Sequence, residues 1–196
     1  WKNPRWFILM KRIILGLGSN KSFNGKSCLE LLNDACHDLT TLLKNVIVSS
    51  VYRTKAMYVT DQDDFYNMAL LGYVTEDYNP FFLLEQIHEI EEKYGRNREK
   101  EIRFGPRSLD IDIEIFGDEV INTPDLQIPH IRFEERAFVL IPMLELLEKC
   151  SDDLLKEKCE KCLMVLKEKG ETSDIKKIVS SSNFIFSKGG KYGTNG

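Results

Sequence analysis

Residues 109–115 read Leu-Asp-Ile-Asp-Ile-Glu-Ile, and no other stretch limits the fold as much. Strict alternation of apolar and acidic side chains is the period of a β-strand, which sends successive residues to opposite faces. Leu109, Ile111, Ile113 and Ile115 are therefore expected to enter a core, with Asp110, Asp112 and Glu114 together on the other face. Like charges about 7 Å apart along a strand repel unless something neutralises them. Two such carboxylates can share hard cations such as Mg²⁺; the plain alternative is a solvated acidic face.

The segment before this strand weighs on that choice. Residues 93–107 carry Lys93, Arg96, Arg98, Lys100, Arg103 and Arg107 against Glu99 and Glu101, a net of +4 in a chain whose total is −4. A basic loop running into a carboxylate pair is what polyphosphate transfer needs: carboxylates hold metal, metal bridges phosphates, and arginines meet the remaining oxygens. An RNA-binding loop would set the same acidic face against a nucleic-acid backbone. Gly16-Leu17-Gly18-Ser19-Asn20 lacks the lysine and length of a Walker-type loop and reads as a strand followed by a tight turn.

The remaining elements follow from periodicity and punctuation. Residues 11–17 read as a buried strand. A helix is expected over about 26–44, where Cys28, Leu32, Ala35, Leu39 and Leu42 make one stripe, then strands over 46–53 and 65–75. Asn79-Pro80 opens a second helix that Gly95 closes. Gly117-Asp118 predicts a hairpin from 109–115 to Val120-Ile121. Helices are expected over about 134–148 and 154–169, and an extended piece over 175–186. The order β-α-β-β-α-β predicts an α+β fold, a ferredoxin-like antiparallel sheet with helices on both faces in three layers.

With 42% apolar and 30% charged residues, the chain reads as one globular domain, residues 10–186. Residues 1–9 read as upstream or non-native sequence before a start at Met10, and 187–196 as a flexible tail. Net acidity argues against general affinity for nucleic acid or anionic membrane, and no apolar run is long enough to span a bilayer. Five irregularly spaced cysteines argue against a secreted disulfide framework and for the cytoplasm. Cys159 and Cys162 have half the spacing of a zinc site and no second half, so they read as free thiols on a helix.

Phe65 and Asn67 lie two apart on a strand, where a flat heterocycle could stack on one and hydrogen-bond the other. Taken alone, Phe65 and Phe138 are more often core aromatics than ligand platforms, and His130 more often a turn histidine.

Together these residues resemble 6-hydroxymethyl-7,8-dihydropterin pyrophosphokinase. Arg103-Phe104-Gly105-Pro106-Arg107-Ser108-Leu109-Asp110-Ile111-Asp112 is similar to the family signature Arg-Trp-Gly-Pro-Arg-Thr/Ser-Leu-Asp-Leu/Ile-Asp. Gly18-Ser19-Asn20, Tyr52-Arg53-Thr54, Phe65-Tyr66-Asn67, Gly95-Arg96-Asn97-Arg98, Ile128-Pro129-His130 and Arg136-Ala137-Phe138 fall in the family's order. The chain departs from common members at Lys55-Ala56, His88, Phe104 and Ile131.

The resemblance implies a transferase of folate biosynthesis that passes pyrophosphate from ATP to the hydroxymethyl group of the pterin, giving AMP and the pterin diphosphate. It implies that Asp110 and Asp112 hold two Mg²⁺ ions and that Arg96 and Arg107 support the transferring phosphates. Glu91, Arg98, Arg103, Ile113 (through backbone), His130 and Arg136 would bind ATP. Thr54, Met57, Phe65, Asn67, Asp110 and Phe138 would bind the pterin. The expected partners are these small molecules, with no nucleic acid or membrane, and a single-function chain acting as a monomer. A different metal-dependent nucleotide transferase would share the aspartates and arginines without the pterin slot. An inactive relative would keep only the fold.

Overall fold

The computed structural model describes residues 10–56, 62–98, 105–150 and 152–183. Its sheet is built from β1 (Met10–Ser19), β2 (Lys44–Val48), β3 (Val51–Thr54), β4 (Phe65–Thr75), β5 (Asp110–Phe116) and β8 (Lys176–Val179). A separate ribbon pairs β6 (Ile121–Asn122) with β7 (Gln127–Ile128). The helices are α1 (Cys28–Leu42), α2 (Pro80–Lys93), α3 (Ala137–Leu147) and α4 (Asp153–Glu168).

The sheet order is β5-β1-β4-β3-β8, with β2 also paired to β4. Every pairing is antiparallel. With α1 following β1 and α2 following β4, this is the ferredoxin-like arrangement. Helices α1 and α2 cover one face, where Leu32, Ala35, Leu39, Leu83 and Ile87 pack on Ile13, Leu15, Ile111 and Ile113. Helices α3 and α4 cover the other, where Leu140, Met143, Leu146 and Leu163 pack on Ile14, Ala69, Leu71 and Ile115. The three layers expected from the sequence are present.

Local chemistry sets the element ends. Ser27 and Glu30 form a capping box on α1. The Asn79 side chain accepts from the Phe81 N–H at the start of α2, with Pro80 as the first helical residue.

Several expectations fail for tertiary reasons. Gly18 and Ser19 are not a turn: β1 continues through them because Asn67 and Asp110 pair with Gly18 on either side. The strand expected over 46–53 is two pieces broken at Ser49-Ser50. The hairpin predicted after β5 does not form, because Ile121 pairs with Ile128 instead. The helix expected over 134–148 begins at Ala137, after a 3₁₀ turn at Phe133–Glu135. In the last segment only Lys176–Val179 is strand before a 3₁₀ turn at Ser181–Asn183; 184–186 lie outside the described residues.

The alternation in β5 holds only as far as Glu114. The β1–β5 register shifts between Ile14 and Leu15, which pair with Ile115 and Ile113. This bulge leaves Glu114 without a cross-strand partner and turns Ile115 onto the α3 face beside Ile14. Phe116 then returns to the α1 and α2 face.

Candidate active site

Strands β1, β4 and β5 form the floor of a cavity of about 390 Å³, with residues of α3 opposite. The floor is shaped by two glycines of β1. A Cβ on Gly16 would lie 2.7 Å from Glu114 Oε1, and one on Gly18 would lie 3.1 Å from Asn67 Oδ1. Each glycine is a notch in the pleat, filled by a polar group from the neighbouring strand.

One end of the cavity is cationic. Arg107 Nη1 donates to Asp110 Oδ2 at 2.8 Å, and Arg96 bridges Asp110 and Glu91 through Nη1. Glu91 is fully buried on α2 and also accepts from Arg98 and, at 2.8 Å, from the Ile111 N–H. Burial pushes the Glu91 carboxyl up, and Arg96 and Arg98 pull against it. The Asn20 side chain accepts from the Arg107 N–H at 2.8 Å and donates to Gln62 at 3.0 Å, fixing the backbone that presents Arg107.

The three carboxylates of β5 have separate environments. Burial would raise Asp110, but Arg96 and Arg107 outweigh it and hold the carboxyl below its ordinary value. Burial and the Asp110 charge push Asp112 up to about 7, against the pull of Arg136, whose Nη1 lies 3.8 Å away. Burial pushes Glu114 well up, and neither of its oxygens has a hydrogen-bond partner among the described residues. His130 donates its backbone N–H to the Glu114 carbonyl at 3.0 Å. Burial and Arg136 push its imidazole down to about 4, so the ring is neutral at neutral pH.

The other end is a slot. Phe65 and Phe138 both line it, with Thr54 and Asn67 between β3 and β4. Asn67 Nδ2 donates to Thr54 Oγ1 at 2.8 Å, which leaves Asn67 Oδ1 over Gly18. The Arg136 guanidinium stacks over the Phe138 ring at 5.7 Å, joining slot to cationic end.

Of the residues singled out from sequence, Arg96, Arg98, Arg107, Asp110, Asp112, His130 and Arg136 line this cavity with Thr54, Phe65, Asn67 and Phe138. Glu91 stands behind Arg96 and Arg98. The Ile113 side chain is in the core on the opposite face. Met57 and Arg103 lie outside the described residues. Gly16, Lys55, Gln62 and Glu114 also line the cavity and were given no role from sequence. Glu114 had a signal, its place in the acidic alternation; the glycines had none short of knowing which side chains flank them.

The floor fits a hard divalent cation. Asp112 is an under-compensated carboxylate lining the cavity beside Asp110. Two carboxylates are a donor set that Mg²⁺ can use, with water and substrate phosphates completing its shell.

The chain also resembles known proteins over most of its length. Residues 14–148 match the family of 7,8-dihydro-6-hydroxymethylpterin-pyrophosphokinase (HPPK). Over 113 residues the chain is 42% identical to 2-amino-4-hydroxy-6-hydroxymethyldihydropteridine pyrophosphokinase of Bacillus subtilis, covering 58% of this chain and 64% of that protein. Over 140 residues it is 34% identical to the Pseudomonas aeruginosa protein of the same name, covering 70% and 82%. The crystal structure of wild-type Plasmodium falciparum HPPK-DHPS with pteroate matches at a TM-score of 0.63 and 16% identity, over 87% of this chain and 46% of that one, a likeness of fold. The chain thus spans just under two thirds of the Bacillus protein and about half of the Plasmodium chain. With its middle 135 residues matched, the chain belongs to the 7,8-dihydro-6-hydroxymethylpterin-pyrophosphokinase family.

Proposed function

We propose that this chain transfers pyrophosphate from ATP to 6-hydroxymethyl-7,8-dihydropterin in a Mg²⁺-dependent reaction of folate biosynthesis. One observation carries the reading: a single cavity joins a cationic end bearing Asp110 and Asp112 to a slot lined by Phe65, Asn67 and Phe138. Such a cavity can hold a polyphosphate and a flat heterocycle side by side.

Asp110 and Asp112 would hold the metal, as two ions in the family's manner, and the metal would supply charge neutralisation across the phosphates. Arg96 and Arg107 are already set beside Asp110, so little reorganisation is needed to meet the charge that develops during transfer. Glu91 pairs with both Arg96 and Arg98 from behind. His130, neutral, offers a ring nitrogen, and Arg136 a charge, to the nucleotide side. Phe65 and Phe138 would hold the two faces of the pterin, with Thr54, Met57 and Asn67 on its edge. Arg103 and the backbone near Ile113 would complete the ATP contacts.

In the reaction the hydroxymethyl oxygen bonds to the β-phosphorus of ATP. The bond from that phosphorus to the oxygen bridging it to the α-phosphorus breaks. AMP leaves, and the hydroxyl proton is released. Five free thiols suit a reducing compartment, in keeping with a cytoplasmic enzyme. No helix among the described residues is long and apolar enough to cross a membrane. We read the working unit as a monomer with small-molecule partners. Nucleotide product is the test: AMP released only when the hydroxymethyl-pterin is present is expected, and ADP would refute pyrophosphoryl transfer.

A further inference from the structure

Glu114 is a buried polar group in the cavity that the proposed reaction leaves without a task. It is 1% exposed, and both carboxylate oxygens lack a hydrogen-bond partner among the described residues. A buried, unpaired polar group costs free energy that a fold does not retain without return. Its place is also built. The bulge in β5 frees Glu114 from pairing, and the missing side chain of Gly16 opens the notch that its Oε1 occupies. An alanine at Gly16 would bring a Cβ to 2.7 Å from that oxygen. The carboxyl therefore rests over β1 on the cavity floor, beyond Asp112 as counted from the pterin slot.

We propose that Glu114 is a ligand-contacting residue that accepts a hydrogen bond from the nucleoside part of ATP. This rests on the function proposed above. The neighbours set the choice of ligand. His130 Nδ1 lies 3.7 Å from Glu114 Oε2, and Arg136 bears on it electrostatically; both are residues to which the function proposed above gives the nucleotide. The pterin edge already has Thr54 and Asn67. The phosphates of ATP already have Arg96, Arg107 and the Asp110–Asp112 pair assigned to them. The donors that ATP offers are its ribose hydroxyls and the adenine amino group. A carboxyl keeps an acceptor oxygen in either protonation state, so the contact needs no particular charge. The plain alternative is a buried water on Glu114, which would bind no differently with nucleotide present.

Calorimetry with Mg²⁺ and a non-hydrolysable ATP analogue, and separately with the hydroxymethyl-pterin, decides between them. In E114M the floor becomes apolar at similar length. Nucleotide affinity is expected to fall about tenfold or more, pterin affinity to hold, and the melting temperature to stay level or rise. E114Q keeps the shape and one acceptor, and a smaller loss, about two- to fivefold, is expected; it reads the same contact if E114M melts early. Analogues lacking the 2′-hydroxyl, the 3′-hydroxyl or the adenine amino group identify the donor: one of them should bind the wild type more weakly yet lose nothing further in E114M. Wild-type nucleotide affinity in both variants, loss of pterin affinity in its place, or no such coupling with any analogue overturns the inference alone. Failure of the wild type to bind either ligand overturns the proposed function with it.

Discussion

On the side of the sheet covered by α1 and α2, β5 contributes Ile111, Ile113 and Phe116. On the side covered by α3 it contributes Asp110, Asp112 and Glu114, and only then Ile115. The same strand thus serves a continuous apolar core and a polar floor. The first face gains by excluding water everywhere. The second stops excluding water where α3 stands off from β1 and β5, and the charges there are compensated unequally. Asp110 has two guanidinium partners, Asp112 one distant one, and Glu114 no hydrogen bond among the described residues. Charge compensation thus falls along one strand face, and strongly perturbed groups of this kind cluster at functional sites.

The largest effect that would sharpen this contrast comes from adjacent substitutions. Ile113→Ala opens a hole in a buried core and is expected to cost about 2–5 kcal/mol of stability. Asp112→Ala should leave stability unchanged or raise it, since the Asp110–Asp112 repulsion goes. Turnover should nonetheless fall more than about 100-fold, beyond what loss of an outer partner of a metal site costs. Asp110→Ala should also abolish turnover, but it removes the carboxylate partner of Arg107 and one partner of Arg96, which keeps Glu91, and should cost about 1–3 kcal/mol. Denaturant titration beside a turnover assay separates the three. Near-wild-type turnover in Asp112→Ala would break the metal assignment, and equal stability losses at 112 and 113 would break the contrast of faces.

A smaller effect tests the slot end of the polar face. Phe65→Ala and Phe138→Ala should each weaken pterin binding roughly tenfold, from lost stacking of about 0.5–1.5 kcal/mol plus lost burial. ATP affinity should hold. Asn67→Ala should add a loss by another route, an unpaired heterocycle edge worth about 1–3 kcal/mol. Separate calorimetric titrations of the two ligands check this. Parallel loss of both affinities in proteins that melt early would mean that the aromatics are core.

The apolar face was the more legible one in the sequence. The stripe through Leu32, Ala35 and Leu39 and the alternation through Ile111 and Ile113 are local patterns, and both landed in that core. The Asn79-Pro80 helix start is equally local. Of the polar face, the sequence exposed the ligand-bearing residue types but not their arrangement. That Ile115 changes sides depends on the register against Ile14 and Leu15, which no count along β5 contains. That Gly16 and Gly18 are notches, and that Gly18 is not a turn, depends on Glu114 and Asn67 from two other strands. That Ile121 pairs with Ile128 rather than with β5 depends on where the chain goes after Gly117. Glycine and charge mark many local possibilities, and tertiary pairing selects among them.

The smallest expected effect concerns a second glutamate on the α3 side, whose situation is the reverse of that of Glu114. Glu145 of α3 accepts from the Ser50 N–H at 3.0 Å, the Ser50 hydroxyl at 2.9 Å and the Tyr52 hydroxyl at 2.9 Å. It thereby ties α3, which carries Phe138, to the start of β3, which carries Thr54. Burial would raise its carboxyl, but these hydrogen bonds and Lys177 outweigh burial and hold it below the ordinary glutamate value. A carboxyl lowered on folding contributes stability that is fully present above its unfolded pKa of about 4.3 and is lost as pH falls through the folded value. Glu145→Gln should therefore cost about 1 kcal/mol at neutral pH, the scale of a lost charge-assisted hydrogen bond. The difference from wild type should shrink below about pH 4 and vanish once both proteins are uncharged there. Urea titrations at several pH values read it directly. A difference that stays constant into acid would mean that Glu145 acts by shape alone and that its pairing with Ser50 and Tyr52 does not set it apart from Glu114.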